Sequence, residues 1–277
     1  GLLTVPDTSE TDGGSFQVSA SDGIKEVVIG GATFSLAQLQ DAGYLAAHTV
    51  NTGEGTLTLT GYSSSDDKSA TITYSYTLDA AQQHSLPGND SLTDSVGVTV
   101  NGVGGSSDSA NLSISIIDDV PVATVDGTQT VTEDGNGTTT LQSVTGGVLG
   151  NDSYGADGAN VDAGTAFSWD ANTAAKAALA TYGTLTLGSD GTYTFTLDNS
   201  SAAVQGLTSS SVIEQTLTYT ITDHDGDTSP ASVTIRIVGA NDSAQVTVSA
   251  EGADSTVYEH GLLTVPDTSE TDGGSFQ

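Results

Sequence analysis

The segment Thr222-Asp223-His224-Asp225-Gly226-Asp227 stands between two strand-like runs. Its carboxylates fall at i, i+2 and i+4, so they can converge on one cation, and Gly226 permits the sharp turn that convergence needs. Oxygen-only donors in this pattern suit a hard divalent ion, Ca²⁺ above all; the alternative is a polar hairpin tip. It is not an EF-hand loop, which places its Gly after the third acidic position and adds a distant bidentate Glu. Two acidic linkers accompany it, Ile117-Asp118-Asp119-Val120-Pro121 and Gly239-Ala240-Asn241-Asp242. A loop leading into the last strand of a sandwich lies at the pole where that sandwich begins. The Asp223–Asp227 loop is therefore expected to face Asp118-Asp119, and together they could supply the roughly six to eight oxygens Ca²⁺ takes. Weaker candidates pair an acid with a turn former: Glu133-Asp134-Gly135, Asn151-Asp152, Asp157-Gly158 and Tyr258-Glu259. The expected calcium ligands are thus Asp118, Asp119, Asp223, Asp225, Asp227, Glu133, Asp152, Asp242 and Glu259.

Catalysis has no comparable signal. There is no GxSxG elbow, no HExxH, no glycine-rich phosphate loop and no Cys. His48, His84, His224 and His260 are scattered, without metal-ligand spacing. Paired carboxylates could make a glycosidase site, but among 35 acidic residues some pair always exists. The expectation is a protein that is not an enzyme.

The charge balance narrows the partners. Asp and Glu number 35 against Lys25, Lys68, Lys176 and Arg236, a net charge of −31. Nucleic acid, which needs clustered Lys or Arg, is excluded, and an anionic membrane surface is disfavoured. Such a chain repels itself when compact, and divalent cations at the acidic clusters would relieve this. Without Cys, rigidity cannot come from disulfides. No run of about 18 apolar residues exists, so membrane insertion is not expected.

The elements that must position these acids are strands. Hydrophobic residues make up 35%, below the usual globular share, but they come in short alternating runs, which points to folded β structure. Strands are expected at 26–29, 56–60, 70–77, 96–100 and 112–117, and again at 129–132, 183–187, 192–197, 216–222 and 232–238. Ser189-Asp190-Gly191 reads as a hairpin turn. Ser35 should cap a short helix over the following residues, and a longer helix, capped by Asp170, should run to Thr181. Phe167 and Trp169 are expected in a core.

Repeats give the domain plan. Gly1–Gln17 recurs without a difference as Gly261–Gln277, a period of 260 residues (261 minus 1), so the chain spans one period of a tandem array and the start of the next. Within the period, Gly55–Thr60 (GTLTLT) matches Gly183–Gly188 (GTLTLG). Asp108–Pro121 (DSANLSISIIDDVP) matches Ser229–Asp242 (SPASVTIRIVGAND). The expected fold is all-β, two tandem Ig-like or cadherin-like antiparallel β-sandwiches with short helical insertions. The first occupies 1–122 and lacks its opening strand, the second 123–242, and 243–277 begin the next copy of the first.

From Val131 onward the second unit resembles the VCBS repeat of giant type I-secreted, RTX-like bacterial adhesins. The resemblance rests on Val131-Thr-Glu-Asp-Gly, Gly147-Val-Leu-Gly-Asn-Asp, the run from Tyr182 to Asn199, and Leu217-Thr-Tyr-Thr-Ile-Thr-Asp-His-Asp-Gly-Asp through Gly239-Ala-Asn-Asp. The first unit is similar to another repeat class of such adhesins, on Phe16-Gln-Val-Ser-Ala-Ser-Asp-Gly-Ile, Phe34-Ser-Leu-Ala-Gln-Leu-Gln, Asn51-Thr-Gly-Glu-Gly-Thr-Leu-Thr-Leu-Thr-Gly-Tyr and Asp118-Asp-Val-Pro. It implies an extracellular spacer on the bacterial cell surface, exported by a type I system, serving adhesion or biofilm formation. Calcium at its junctions would be held by Asp223, Asp225 and the linker acids. Its partners would be neighbouring repeats of the same polypeptide. One departure stands out: where the family usually repeats the Asp-rich loop, the first unit reads Asn101-Gly-Val-Gly-Gly-Ser-Ser. The rival function is a calcium-dependent glycan-binding module. Residues 243–277 are expected either to complete the first unit of a second molecule, giving head-to-tail self-association, or to fray and leave an edge that tolerates the loss.

Overall fold

A computed structural model describes residues 10–84, 87–88, 90–134, 142–156, 158–160, 165–244, 246 and 259. The first half holds β1 (Thr11–Ser19), β2 (Ile24–Ile29), β3 (Ala32–Ser35), α1 (Leu36–Leu39), α2 (Ala42–Ala47), β4 (Thr49–Asn51), β5 (Gly55–Ser64), β6 (Ser69–Leu78), β7 (Ser91–Gly102) and β8 (Ser107–Ile117). They form two antiparallel sheets, β1-β6-β5-β4 and β3-β2-β7-β8. The second half holds β9 (Thr128–Thr132), β10 (Ser143–Gly147), β11 (Phe167–Trp169), α3 (Thr173–Ala180), β12 (Gly183–Leu187), β13 (Thr192–Leu197), α4 (Ala202–Gln205), β14 (Val212–Thr222) and β15 (Thr228–Val238). Its sheets are β10-β13-β12 and β11-β14-β15-β9. The fold is thus mostly β, with sheets that are antiparallel except where β9 joins β15, and a few short helices.

The strand orders match the sequence similarity. GTLTLT begins β5 and GTLTLG covers β12, which pair with β6 and β13, the strands that follow them in the chain. The second pair of matched runs includes β8 and β15. Period-two alternation places one face of each strand inward. On β15, Ala231, Val233, Ile235 and Ile237 are all buried. The equivalent row on β8 is Ala110, Leu112, Ile114 and Ile116, of which only Ile116 is buried. The difference follows from position. β15 lies between β14 and β9, whereas β8 is the edge of its sheet among the described residues.

One pairing departs from the antiparallel expectation. β9 runs parallel to β15, Thr128 beside Thr234 through Thr132 beside Val238, because both strands lead away from the pole where the sandwich begins. Two cores result. Leu57, Leu59, Ile72 and Ile29 centre the first, and Phe195, Leu217, Tyr219 and Ile235 the second. Phe167 and Trp169 pack against the second core, half-buried, with the indole N–H donating to Gly188 O at 2.9 Å.

Local signals held at most turns. Ser35 caps α1 in a reciprocal box with Gln38. Ser189-Asp190-Gly191 joins β12 to β13, with Gly191 at φ 81°, where a glycine costs no strain. The second helix is shorter than expected. Asp170 does not cap it; its Oδ1 accepts from Thr220 Oγ1 at 3.2 Å, and Asn172 precedes α3 in a left-handed conformation. The reason is the neighbouring sheet. The Asn172 amide pairs with both Thr218 O and Thr218 N–H, extending the edge of β14 and delaying the helix.

Candidate metal centre at the junction of the two sandwiches

The loop 223–227 closes the β14–β15 hairpin, whose register runs without slippage to Thr222 beside Thr228. Asp223 is fully buried, and its Oδ1 accepts from Gly226 N–H at 3.2 Å and Asp227 N–H at 2.7 Å. Gly226 sits at φ 110°, a conformation that strains any other residue. Asp223 therefore braces the loop from within, and the bracing leaves Asp225 and Asp227 to face the first sandwich.

Three segments meet there. Gly88 N–H donates to Asp227 Oδ1 at 2.5 Å, across 139 residues of sequence. Asp118 N–H donates to Asp90 O at 3.2 Å, and Asp90 N–H to Gly88 O at 2.6 Å. The β6–β7 connection, the linker and the β14–β15 loop are thus laced together at one pole of each sandwich. Asp118, Asp225 and Asp227 each bring a carboxylate oxygen within 4.8 Å of the others. Asp118 is 7% exposed and Asp227 9%. Oδ2 of Asp225 and Oδ2 of Asp227 are buried without a hydrogen-bond partner.

This arrangement fits a calcium ion. Three carboxylates in so small a buried volume repel one another, and burial of unpaired charge is costly. Calcium–oxygen bonds of about 2.3–2.6 Å allow two ligands of one ion to stand at most about 5 Å apart, which the 4.8 Å spread satisfies. The donor set is all oxygen, as a hard cation requires.

The other expected ligands are dispersed. Asp119, exposed, accepts from Ala156 N–H at 2.7 Å. Asp152 Oδ1 accepts from Thr124 N–H at 2.8 Å and from the Tyr219 hydroxyl at 3.3 Å. Glu133 lies at the far end of β9 beside the second linker; it is 3% exposed, Oε2 accepts from Ala240 N–H at 3.0 Å, and Oε1 is buried without a partner. Asp134 Oδ1 accepts from Asn199 Nδ2. Asp242 and Glu259 are exposed. Gly135, Asp157, Tyr258 and most of 243–277 lie outside the described residues.

Two residues enter that the sequence did not single out. His84 is buried beside Asp90 and Asp118. Asp22 reaches the β7–β8 turn, the one that carries no acid of its own, and accepts from Ser106 Oγ at 2.7 Å and from Gly104 N–H. The Ser106 hydroxyl is the chief cause that holds the Asp22 carboxyl below its ordinary value. No sequence spacing flags either residue: the partners of Asp22 lie more than 80 residues away, and His84 joins the nearby Asp90 to the distant Asp118.

A crowded polar knot lies inside the second sandwich. The Tyr219 hydroxyl faces four acceptors at 3.2–3.3 Å: Thr124 O, Asp126 Oδ2, Val148 O and Asp152 Oδ1. One hydroxyl proton cannot satisfy them all. Burial raises the Asp126 carboxyl above its ordinary value, the Tyr219 hydroxyl opposes this, and the Asp152 charge adds to it. A carboxyl raised in the folded state stabilises at low pH and loses that contribution as pH rises through its folded value. Asp126→Asn, which keeps an acceptor for Tyr219, should therefore raise the melting temperature at pH 7, by less than the ~4 °C that 1 kcal/mol is worth at this domain size. The gain should vanish near pH 3. Equal melts at both pH values would exclude the strain.

No curated protein matches the sequence. Among solved structures, the chain is similar to extracellular domains 1–4 of Drosophila N-cadherin (13% identity, TM-score 0.30, covering 83% of this chain and 41% of that one). It is also similar to the protocadherin gamma-B4 extracellular domain (16% identity, TM-score 0.28, 83% and 34%). The chain thus spans less than half the length of either. Among the described residues no helix is long and apolar enough to cross a membrane. Residues 118–239, from the first candidate ligand through the end of β15, match the model of the bacterial cadherin-like domain, a class of extracellular adhesion-type module.

Proposed function

We propose that the chain is a structural extender of a cell-surface bacterial adhesin, stiffened by calcium at the junction between its sandwiches. The observation that carries this reading is the meeting of Asp118, Asp225 and Asp227 at the contact of the two halves, with Oδ2 of Asp225 and Oδ2 of Asp227 buried and lacking a hydrogen-bond partner. A cation there would bridge the linker of one unit to the β14–β15 loop of the next and remove a hinge. The VCBS-like motifs support type I export, with adhesion or biofilm formation as the role. The division into 1–122, 123–242 and 243–277 belongs to the same proposal. So does an unequal pair of junctions, since the acid-free β7–β8 turn faces the second linker in an array. Calorimetric titration with Ca²⁺ tests it. Wild type should bind, and the double variant Asp225→Ala, Asp227→Ala should lose at least one site and bend more in small-angle scattering. Calcium binding by neither protein, or unchanged scattering, would sink the reading.

Self-association is the second part of the proposal. The outer edge of β8 carries no strand among the described residues, while its counterpart β15 carries β9. Thr128–Glu133 reads TQTVTE, and Asp254–Glu259 reads DSTVYE. Residues 254–259 of a second molecule could therefore lie parallel to β8 as β9 lies on β15, giving head-to-tail chains. Sedimentation at high concentration should give oligomers that disappear when 243–277 are removed. Monomers in both cases would exclude the exchange.

A further inference from the structure

The candidate calcium cluster has a neighbour of different chemistry. His84 is 7% exposed, in the connection between β6 and β7. Its Nδ1 contacts Asp90 Oδ1, and its Nε2 stands 4.0 Å from Asp118 Oδ1. His84, Asp90 and Asp118 each offer a ligand atom within 4.8 Å of the other two. Asp118 is thus common to this group and to the group with Asp225 and Asp227.

The two faces of the imidazole differ in what they ask for. If Nδ1–H donates to Asp90, the ring is locked and Nε2 presents a lone pair toward Asp118. A lone pair facing a carboxylate oxygen is repulsive unless a cation lies between them. A separation of 4.0 Å is too long for a direct hydrogen bond. Two ligands of one tetrahedral ion, each bonded at about 2.0–2.2 Å, stand roughly 3.4 Å apart, so the pair would close by about half an ångström around a zinc ion. A carboxylate behind the far nitrogen is the usual arrangement that orients a metal-binding imidazole. An independent sign that this pole lacks positive charge comes from Asp227, nine-tenths buried, whose Oδ2 has no partner while its Oδ1 holds Gly88 of the same connection.

We propose that His84 makes the junction a second, nitrogen-bearing site for a borderline divalent metal of the zinc class, with Asp118 as a shared ligand and Asp90 as the orienting group. This inference rests on the reading of the pole as a cation site. It differs in the donor, since imidazole suits Zn²⁺ and is a poor partner for Ca²⁺. Sharing Asp118 has a consequence: the two ions compete, so zinc at the pole weakens calcium binding and calcium weakens zinc binding to the same degree.

The test is calorimetric titration of the full chain with Zn²⁺ and, separately, with Ca²⁺, in wild type and in His84→Gln. In calcium-free buffer wild type should bind zinc at least 10-fold more tightly than H84Q, the loss usual for removing a metal-binding imidazole or its orienting partner. Calcium affinity should change less than about 3-fold, which also reports that the variant is folded. Saturating calcium should weaken zinc binding to wild type several-fold. The 15N shifts of the His84 ring should move on addition of zinc and not of calcium. Equal zinc affinity in both proteins, or movement of the His48 or His224 ring in place of His84, overturns the assignment. Calcium binding without zinc binding also overturns it and leaves the extender reading standing; failure of calcium to bind removes the extender reading instead.

Discussion

Chelation should lower the melting temperature of this protein by roughly 10 °C. Calcium that binds only the folded junction stabilises by about 2.7 kcal/mol when present at 100 times its dissociation constant. For a sandwich of this size each kcal/mol is worth about 4 °C. The physical origin is the crowding of Asp118, Asp225 and Asp227, two of which, Asp225 and Asp227, hold a buried Oδ2 that lacks a hydrogen-bond partner. Removing the cation leaves three like charges in one buried space, on a chain that already carries −31. The unit that owns the β14–β15 loop should respond most. A thermal melt in excess EDTA against one in millimolar calcium measures this directly; superimposable curves would remove calcium from the account.

Phe195→Ala should cost about 3–5 kcal/mol, the usual penalty for deleting a buried aromatic ring, and move one melting transition by more than ~10 °C. Phe195 is fully buried at the centre of β13, with Val144 and Leu185 beside it in the flanking strands. The informative part is what stays still. The two cores are separate, so the transition of the first sandwich should remain in place. Leu57→Ala, at a fully buried position of β5, should do the reverse at about 2–5 kcal/mol. Calorimetry of both variants therefore tests the proposed division near residue 122. If each substitution shifts every transition together, the halves unfold as one body and the division is wrong.

Alternation made the long strands readable in advance. β13 carries an apolar residue at every second position and matches its expected bounds, whereas β14 and β15 begin four residues before the expected 216 and 232, where Gln215 and Ser229 interrupt the apolar row. β1 and β10 escaped because TDGGSFQVS and SVTGG hold too few apolar side chains. Their glycines are there for close packing, since a side chain at Gly14 or Gly146 would collide with the ring of Tyr74 or Tyr193. β3, β4 and β11 are three or four residues long, too short for a period to register. At the candidate site the acids themselves were visible, but their grouping was not. Asp223 turned inward to hold its own loop, and the His84–Asp90 connection joined from a stretch in which no candidate ligand had been identified. Contacts between residues 139 apart leave no mark in local spacing.

The parallel pairing of β9 with β15 sets how the second sandwich meets a load. If the chain stands in the proposed array and that array is drawn taut, tension enters this unit at the start of β9 and leaves at the end of β15. The two strands point the same way, so pulling slides one along the other and stresses all the rungs from Thr128–Thr234 to Thr132–Val238 at once. An antiparallel pair gripped at one end would instead part rung by rung, each break needing little force. Shear geometry therefore makes rupture a single concerted event. A tether built of such units should hold nearly constant length under drag and then give way by whole domains, which would appear in single-molecule stretching as discrete steps.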